Sequence, residues 1–189
     1  MNTPASGPLT IGVGYPWLSM TLDQTDKIVT IIPEDRLDWR LSDPSGKWHF
    51  SLAEIAMHCA DARRLFARML SGSDRTDDYR SPGPGENGVW PFHAYESKQA
   101  ILDDLSAARA ELQPWLDRPT SSATEITAST RAAWEKNLSR LKEAGTDTAV
   151  DELRGPASIL RVLMAATVHE AGHRSSLQTL LRMHGVNLE

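Results

Sequence analysis

At 189 residues, 40% hydrophobic and 24% charged, the chain has the size and balance of one globular domain and is short for two. A formal net charge of −5, with no Lys/Arg run, excludes a phosphate-backbone partner. The single cysteine, Cys59, excludes an internal disulfide framework and a Cys-rich zinc site. No apolar stretch approaches the roughly 20 residues that cross a bilayer. Residues 1–14 lack the basic and apolar segments of a signal peptide, so the expected compartment is the cytoplasm.

Residues 1–14, rich in Gly, Pro, Ser and Thr, read as a flexible lead-in to a single domain over 15–189. Leu18, Leu22, Ile28 and Ile32 recur at roughly helical spacing from Tyr15, and Pro33 ends that segment. A connector with Pro44 and Gly46 follows. Ser51 and Glu54 then form a capping-box pattern, ahead of a stripe of Leu52, Ile55, Cys59, Ala62, Phe66 and Met69. Ser71 and Gly72 stop this second helix. Residues 71–91, dense in Gly and Pro, predict a long loop of the kind used as a lid or binding segment.

A third helix is predicted from about Ala94 to Leu116 on the stripe Ile101, Leu105, Ala108 and Leu112, with Pro114 fraying its end. Residues 117–128 read as loop. A shorter helix over 130–144 carries Trp134, Leu138 and Leu141, with Gly145 placed to end it. Pro156 fits the first turn of a last helix that runs to about His184 and stops at Gly185. No period-2 segment interrupts this pattern. The fold class is all-α: a four-helix bundle with one extra short helix and a long loop between helices 2 and 3.

The last helix carries the candidate chemistry. Its interior stripe reads Val162, Ala166, His169, His173, Leu177 and Leu180. Two histidines four residues apart stack one turn apart and can chelate one divalent ion. Left unpaired in a dry interior they would be costly. His58 lies at the edge of the second helix's apolar face, with Ile55, Ala62 and Leu65, and can supply a third imidazole. Three protein ligands leave coordination positions open, as catalytic zinc sites do. Each histidine taken alone has a plainer reading as a hydrogen-bonded core residue.

His169-Glu170-Ala171-Gly172-His173 also matches H-E-x-x-H, the zinc-peptidase signature. The extended form of that motif needs Gly and His where Ser176 and Thr179 stand, and no strand is available to bind a peptide. Glu170, about 100° round the helix from His169, reads first as a solvated or metal-supporting carboxylate and second as a catalytic base.

Several segments together resemble a known family. They are Ile32-Pro33-Glu34-Asp35-Arg36-Leu37-Asp38-Trp39, Lys47-Trp48, and Ser51-Leu52-Ala53-Glu54-Ile55-Ala56-Met57-His58. His169-Glu170-Ala171-Gly172-His173-Arg174 and Leu180-Leu181-Arg182-Met183-His184-Gly185-Val186 complete the set. In order and spacing the chain resembles the DinB/YfiT-like superfamily from about Tyr15 onward. The resemblance implies an up-down-down-up four-helix bundle. It also implies a divalent metal, zinc first with nickel or iron as alternatives, on His58, His169 and His173. The activity it implies is that of a metal-dependent S-transferase using a low-molecular-weight thiol and a small-molecule substrate, with a homodimer as the assembly. The alternatives are a small-molecule hydrolase using metal-activated water and a non-catalytic, stress-related metal-binding bundle. One departure stands out. The family often continues His-Arg-Gly-Gln, whereas this chain has His173-Arg174-Ser175-Ser176. The extra helix over 130–144 is a second departure and could reshape the site mouth.

The remaining chemistry-bearing residues have simple readings. Cys59 is a small core residue. His49, His93 and His184 have no partner at ligand spacing and are expected at the surface, with His93 close to the long loop. Trp39 and Trp48 are expected to pack in the core or at a bundle end. Arg174 is expected to pair with a carboxylate.

Overall fold

The computed structural model describes residues 9–42, 49–73, 97–143 and 157–188, without the side chains of 137 and 140–143. Its helices are α1 (Ile11–Gly14), α2 (Pro16–Thr30), α3 (Leu52–Ser71), α4 (Lys98–Leu116), α5 (Ala128–Glu143) and α6 (Ile159–Met183). Short 3-10 turns occupy Glu34–Arg36 and Thr120–Ser122, and there is no strand among the described residues. No helix among these residues is long and apolar enough to cross a membrane. The expectations for Pro44, Gly46, Trp48, His93, Gly145 and Pro156, and for 74–91 of the long loop, lie outside the described residues.

The four long helices form a ring in which α3 packs on α4 and α6, and α2 closes it against the same two helices. Contacts along their length fix the directions. The Lys98 ammonium at the start of α4 donates to the carbonyls of Thr30 (3.0 Å) and Ile32 (3.0 Å) at the end of α2. Those helices are therefore antiparallel. Leu52 and Ile55 share a cluster with Ile101, while Leu70 shares another with Leu112 and Leu116, so α3 and α4 run the same way. Leu70 also shares its cluster with Ile159 and Val162, and Leu52 shares its own with Leu180 and Leu181, so α6 returns antiparallel to α3. The topology is up-down-down-up.

Local chemistry sets the helix ends. At α3 the Ser51 hydroxyl accepts from the Glu54 amide (3.2 Å), and the Glu54 carboxylate accepts from the Ser51 amide (2.6 Å). The carbonyls of Trp39 and Leu37 take the next two unpaired amides, those of Leu52 (3.1 Å) and Ala53 (2.9 Å). This double arrangement satisfies the first-turn donors that a helix leaves open. Gly72 ends α3 in the left-handed region, at φ 69°. The start of α6 is capped by Ser158, whose hydroxyl accepts from the Arg161 amide (3.1 Å).

Three expectations need correcting. Residues 9–14 belong to the bundle rather than to a loose lead-in. Ile11 is fully buried, and its amide donates to the Arg118 carbonyl (2.8 Å). One apolar anchor among small residues holds this stretch on the end of α4. His184 is half-buried with its ring edge-on to Trp39, centroids 4.0 Å apart, rather than on the surface. The expected bundle-end packing of Trp39 explains why. Among the described residues, the extra helix packs away from the site mouth. In α5, Trp134 and Ala133 join the core around Leu70 and Ile159, and Thr130 donates to the Leu70 carbonyl (2.9 Å).

The apolar interior is split. One cluster spans the α5 end of the bundle, and a second, around Val29, Leu52, Ile101 and Leu177, spans the opposite end. Between them lies a layer of polar groups that includes His58, Arg63, Thr25 and Glu170, all buried. The candidate site sits in this layer.

Candidate metal centre

The spacing of four on α6 places His169 and His173 on successive turns with their rings 4.6 Å apart between centroids. Opposite them, α3 brings His58 to 5.0 Å from His169 and 4.5 Å from His173 by the same measure. One ligand nitrogen from each of the three residues lies within 4.8 Å of the other two. The Nε2 atoms of His58 and His169 are 3.0 Å apart. Phe66 approaches His169 edge-on at 6.2 Å, and Phe50 stacks beside His58 at 6.0 Å, so aromatic walls flank the group.

Burial sets the protonation state. His58, 8% exposed, is pushed down from 6.5 to about 3, first by desolvation and then by His173 and His169. His169 falls to about 4 by desolvation and then by His173. Desolvation lowers His173 as well. All three rings are neutral at physiological pH, the form in which imidazole donates a lone pair to a metal. Three neutral nitrogen donors converging between Phe50 and Phe66 fit a borderline divalent cation. Among the described residues, no further His, Cys, Asp or Glu joins the three.

On the α6 side the site opens outward. A cavity of about 570 Å³ reaches His173 and is lined by Phe50, Ile55, His49, Ser176, Thr179 and Leu180, among others. The sequence places the DinB superfamily pattern over residues 18–177, a span that contains all three histidines. The chain belongs to the DinB superfamily. Comparison with curated proteins and with solved structures returned no match.

In this member of the DinB superfamily, Glu170 is neither solvated nor free to act as a base. It is 2% exposed, and both of its oxygens accept from Arg63: Nε to Oε2 at 2.9 Å and Nη2 to Oε1 at 2.6 Å. The 100° offset from His169 turns it away from the histidines and into the bundle. Burial works against the Arg63 charge, but hydrogen bonding to Glu170 and the charges of Glu170 and Asp26 overcome it and raise the guanidinium pKa further. Cys59 is fully buried; desolvation, then Glu170, pushes its thiol up, which suits a core role. Arg174 donates to the side-chain oxygen of Gln24, an amide rather than the expected carboxylate.

Two residues at the centre were missed in the sequence. Arg63 occupies the apolar stripe through Ala56, Cys59, Phe66 and Leu70, and a charge at a stripe position is a usable signal. His49 is half-buried on the cavity wall rather than on the outer surface. It stands just before α3, where helical periodicity gives no orientation. Ser175 and Ser176, in place of the family's Gly-Gln, also line the cavity. Ser176 donates back to the Gly172 carbonyl (3.2 Å) and Thr179 to that of Ser175 (2.9 Å).

Proposed function

We propose that the protein binds a divalent metal ion, zinc in the first instance, through His58, His169 and His173, and that it is an enzyme acting on a small molecule. The observation that carries this reading is the convergence of three neutral imidazoles beside an open cavity. A bound divalent cation supplies Lewis acidity there, favouring the deprotonated form of a thiol or water presented to it. The chain's own residues do the rest. The aromatic rings of Phe50 and Phe66 limit water around the imidazoles. His173 places one ligand at the cavity edge, and the walls carry hydroxyls and the His49 ring to orient a substrate.

Of the enzymatic classes implied by the family, a thiol-dependent S-transferase fits better than a hydrolase with Glu170 as base. That version needs its carboxylate free beside the attacking water, whereas both oxygens of Glu170 are engaged by Arg63. A thiol needs only the cation to be held as thiolate. The cavity argues against a purely structural metal, which is normally closed by four protein ligands.

The deciding experiment is elemental mass spectrometry on protein prepared without a histidine tag or added metal. About one equivalent is expected in the wild type and none in a folded His58→Ala/His169→Ala/His173→Ala variant. A metal-free wild type that also refuses reconstitution would sink the reading. Calorimetry with low-molecular-weight thiols then separates the classes: the transferase reading expects heat of binding with metal-loaded protein and none with the metal-free form.

A further inference from the structure

Arg63 is 1% exposed, yet it is a charged side chain at the middle of the bundle. Besides its fork onto Glu170 of α6, its Nη2 donates to Asp26 Oδ1 on α2 at 2.7 Å. Its Nη1 donates to the Leu105 carbonyl on α4 at 3.0 Å. One α3 side chain therefore bonds to all three of the other long helices. Asp26 is also an ion-pair partner of Arg109 (3.6 Å), which extends the network to the surface.

Such a network discriminates between arrangements more than it stabilises any one of them. Desolvating two charges offsets much of their attraction, and apolar replacements of similar volume are often as stable. The fork, however, tolerates little displacement. Sliding α6 past α3 by one residue moves the carboxylate about 1.5 Å, which lengthens and misaligns both arms. Glu170 adjoins His169 in sequence, and Arg63 follows His58 by five residues, about 7.5 Å along the helix axis. The fork thus sets the register and rotation of α3 against α6 within two turns of the point where their histidines meet.

We propose that Arg63 and Glu170 are positioning residues for the histidine triad: their buried fork holds α3 and α6 at the register where His58 converges with His169 and His173. This rests on the metal-binding reading above. Neither residue touches the ion. Their role is to make the site ready-formed, so that binding does not have to supply the ordering of two helices.

The test uses the full chain, with Zn²⁺ affinity from competition against a chromogenic chelator, the visible spectrum of the Co²⁺ form, and thermal melting without metal. The principal variant, Arg63→Met/Glu170→Met, removes both charges and keeps an apolar filling. It is expected to melt within a few degrees of wild type while losing about tenfold or more in Zn²⁺ affinity and shifting its Co²⁺ bands. Arg63→Lys keeps the charge without the fork and is expected to lose affinity by a smaller factor. A folded double variant with wild-type affinity and spectrum overturns the proposal. If the double variant does not fold, the lysine variant decides on the same two readouts, and unchanged values overturn the proposal. A wild type that binds neither ion overturns the metal reading and this proposal together, whereas wild-type binding that survives the substitutions overturns this proposal alone.

Discussion

Burial of the three imidazoles has a cost that depends on pH. In the unfolded chain each histidine takes up a proton near 6.5. In the folded chain His58 and His169 resist protonation until about 3 and about 4. Folded values below unfolded ones mean that their contribution to stability is complete above 6.5 and is lost as pH falls from there toward 4 and 3. The metal-free protein is therefore expected to show a melting temperature that declines steadily from pH 7 to pH 5. The folded triple-alanine variant should show a flatter profile over the same range. Cys59 gives a second check at this scale. Its buried, hard-to-ionise thiol should resist alkylation in the native protein and react once denaturant is added. The triad was legible in the sequence because two histidines interrupt an otherwise apolar stripe and a third sits on a similar one. The pairing of Arg63 with Glu170 was not: Arg63 stands out on its stripe, but the bond crosses from α3 to α6 and no local pattern names its partner.

Helix boundaries were legible where a side chain ends the helix by itself. At α3, Ser51, Glu54 and Gly72 all do what local chemistry demands. Ser51→Ala is expected to cost about 1 kcal/mol, the usual value of a lost N-cap, measured as a shift in a urea midpoint. Gly72→Ala should cost more. It puts a Cβ into the left-handed region, and that Cβ would collide with the Oγ and Cβ of Ser129. Either α5 shifts or the α3 end unwinds, and a larger midpoint shift than for Ser51→Ala reports the difference. Where boundaries depend on tertiary contact, sequence was a poorer guide. The α1 turn exists because Ile11 finds the end of α4, which no pattern within residues 1–14 announces. At α6, Pro156 drew attention as a helix opener, while Ser158 is the residue that caps.

At the scale of the molecule, the polar layer divides the interior into two apolar halves joined across the histidines and the Arg63 network. A cation bound by α3 and α6 in that layer would tie the halves together, and ligand that binds only the folded state stabilises it by mass action. Free Zn²⁺ at a hundred times its dissociation constant is expected to add about 2.7 kcal/mol, visible as a higher melting temperature that chelator reverses. The triple-alanine variant should show no such gain. The bundle architecture was legible from four long amphipathic segments. The direction of each helix came only from the family resemblance, since stripes alone do not distinguish up from down.

The parallel course of α3 and α4 also bears on how this chain tolerates change. The first ends near Leu70 and Leu116, while the second begins at the other extreme, near Leu52. The intervening chain, Gly72 to Ser97, must retrace the length of a 20-residue helix, about 30 Å. About nine residues at full extension cover that distance, so connectivity sets a floor well below the 24 residues that lie between Gly72 and Ser97. Connectivity alone therefore accounts for under half of the segment. An engineer could excise residues there one stretch at a time. A fold lost only as the tether nears its geometric minimum would mark the segment as rope rather than machinery.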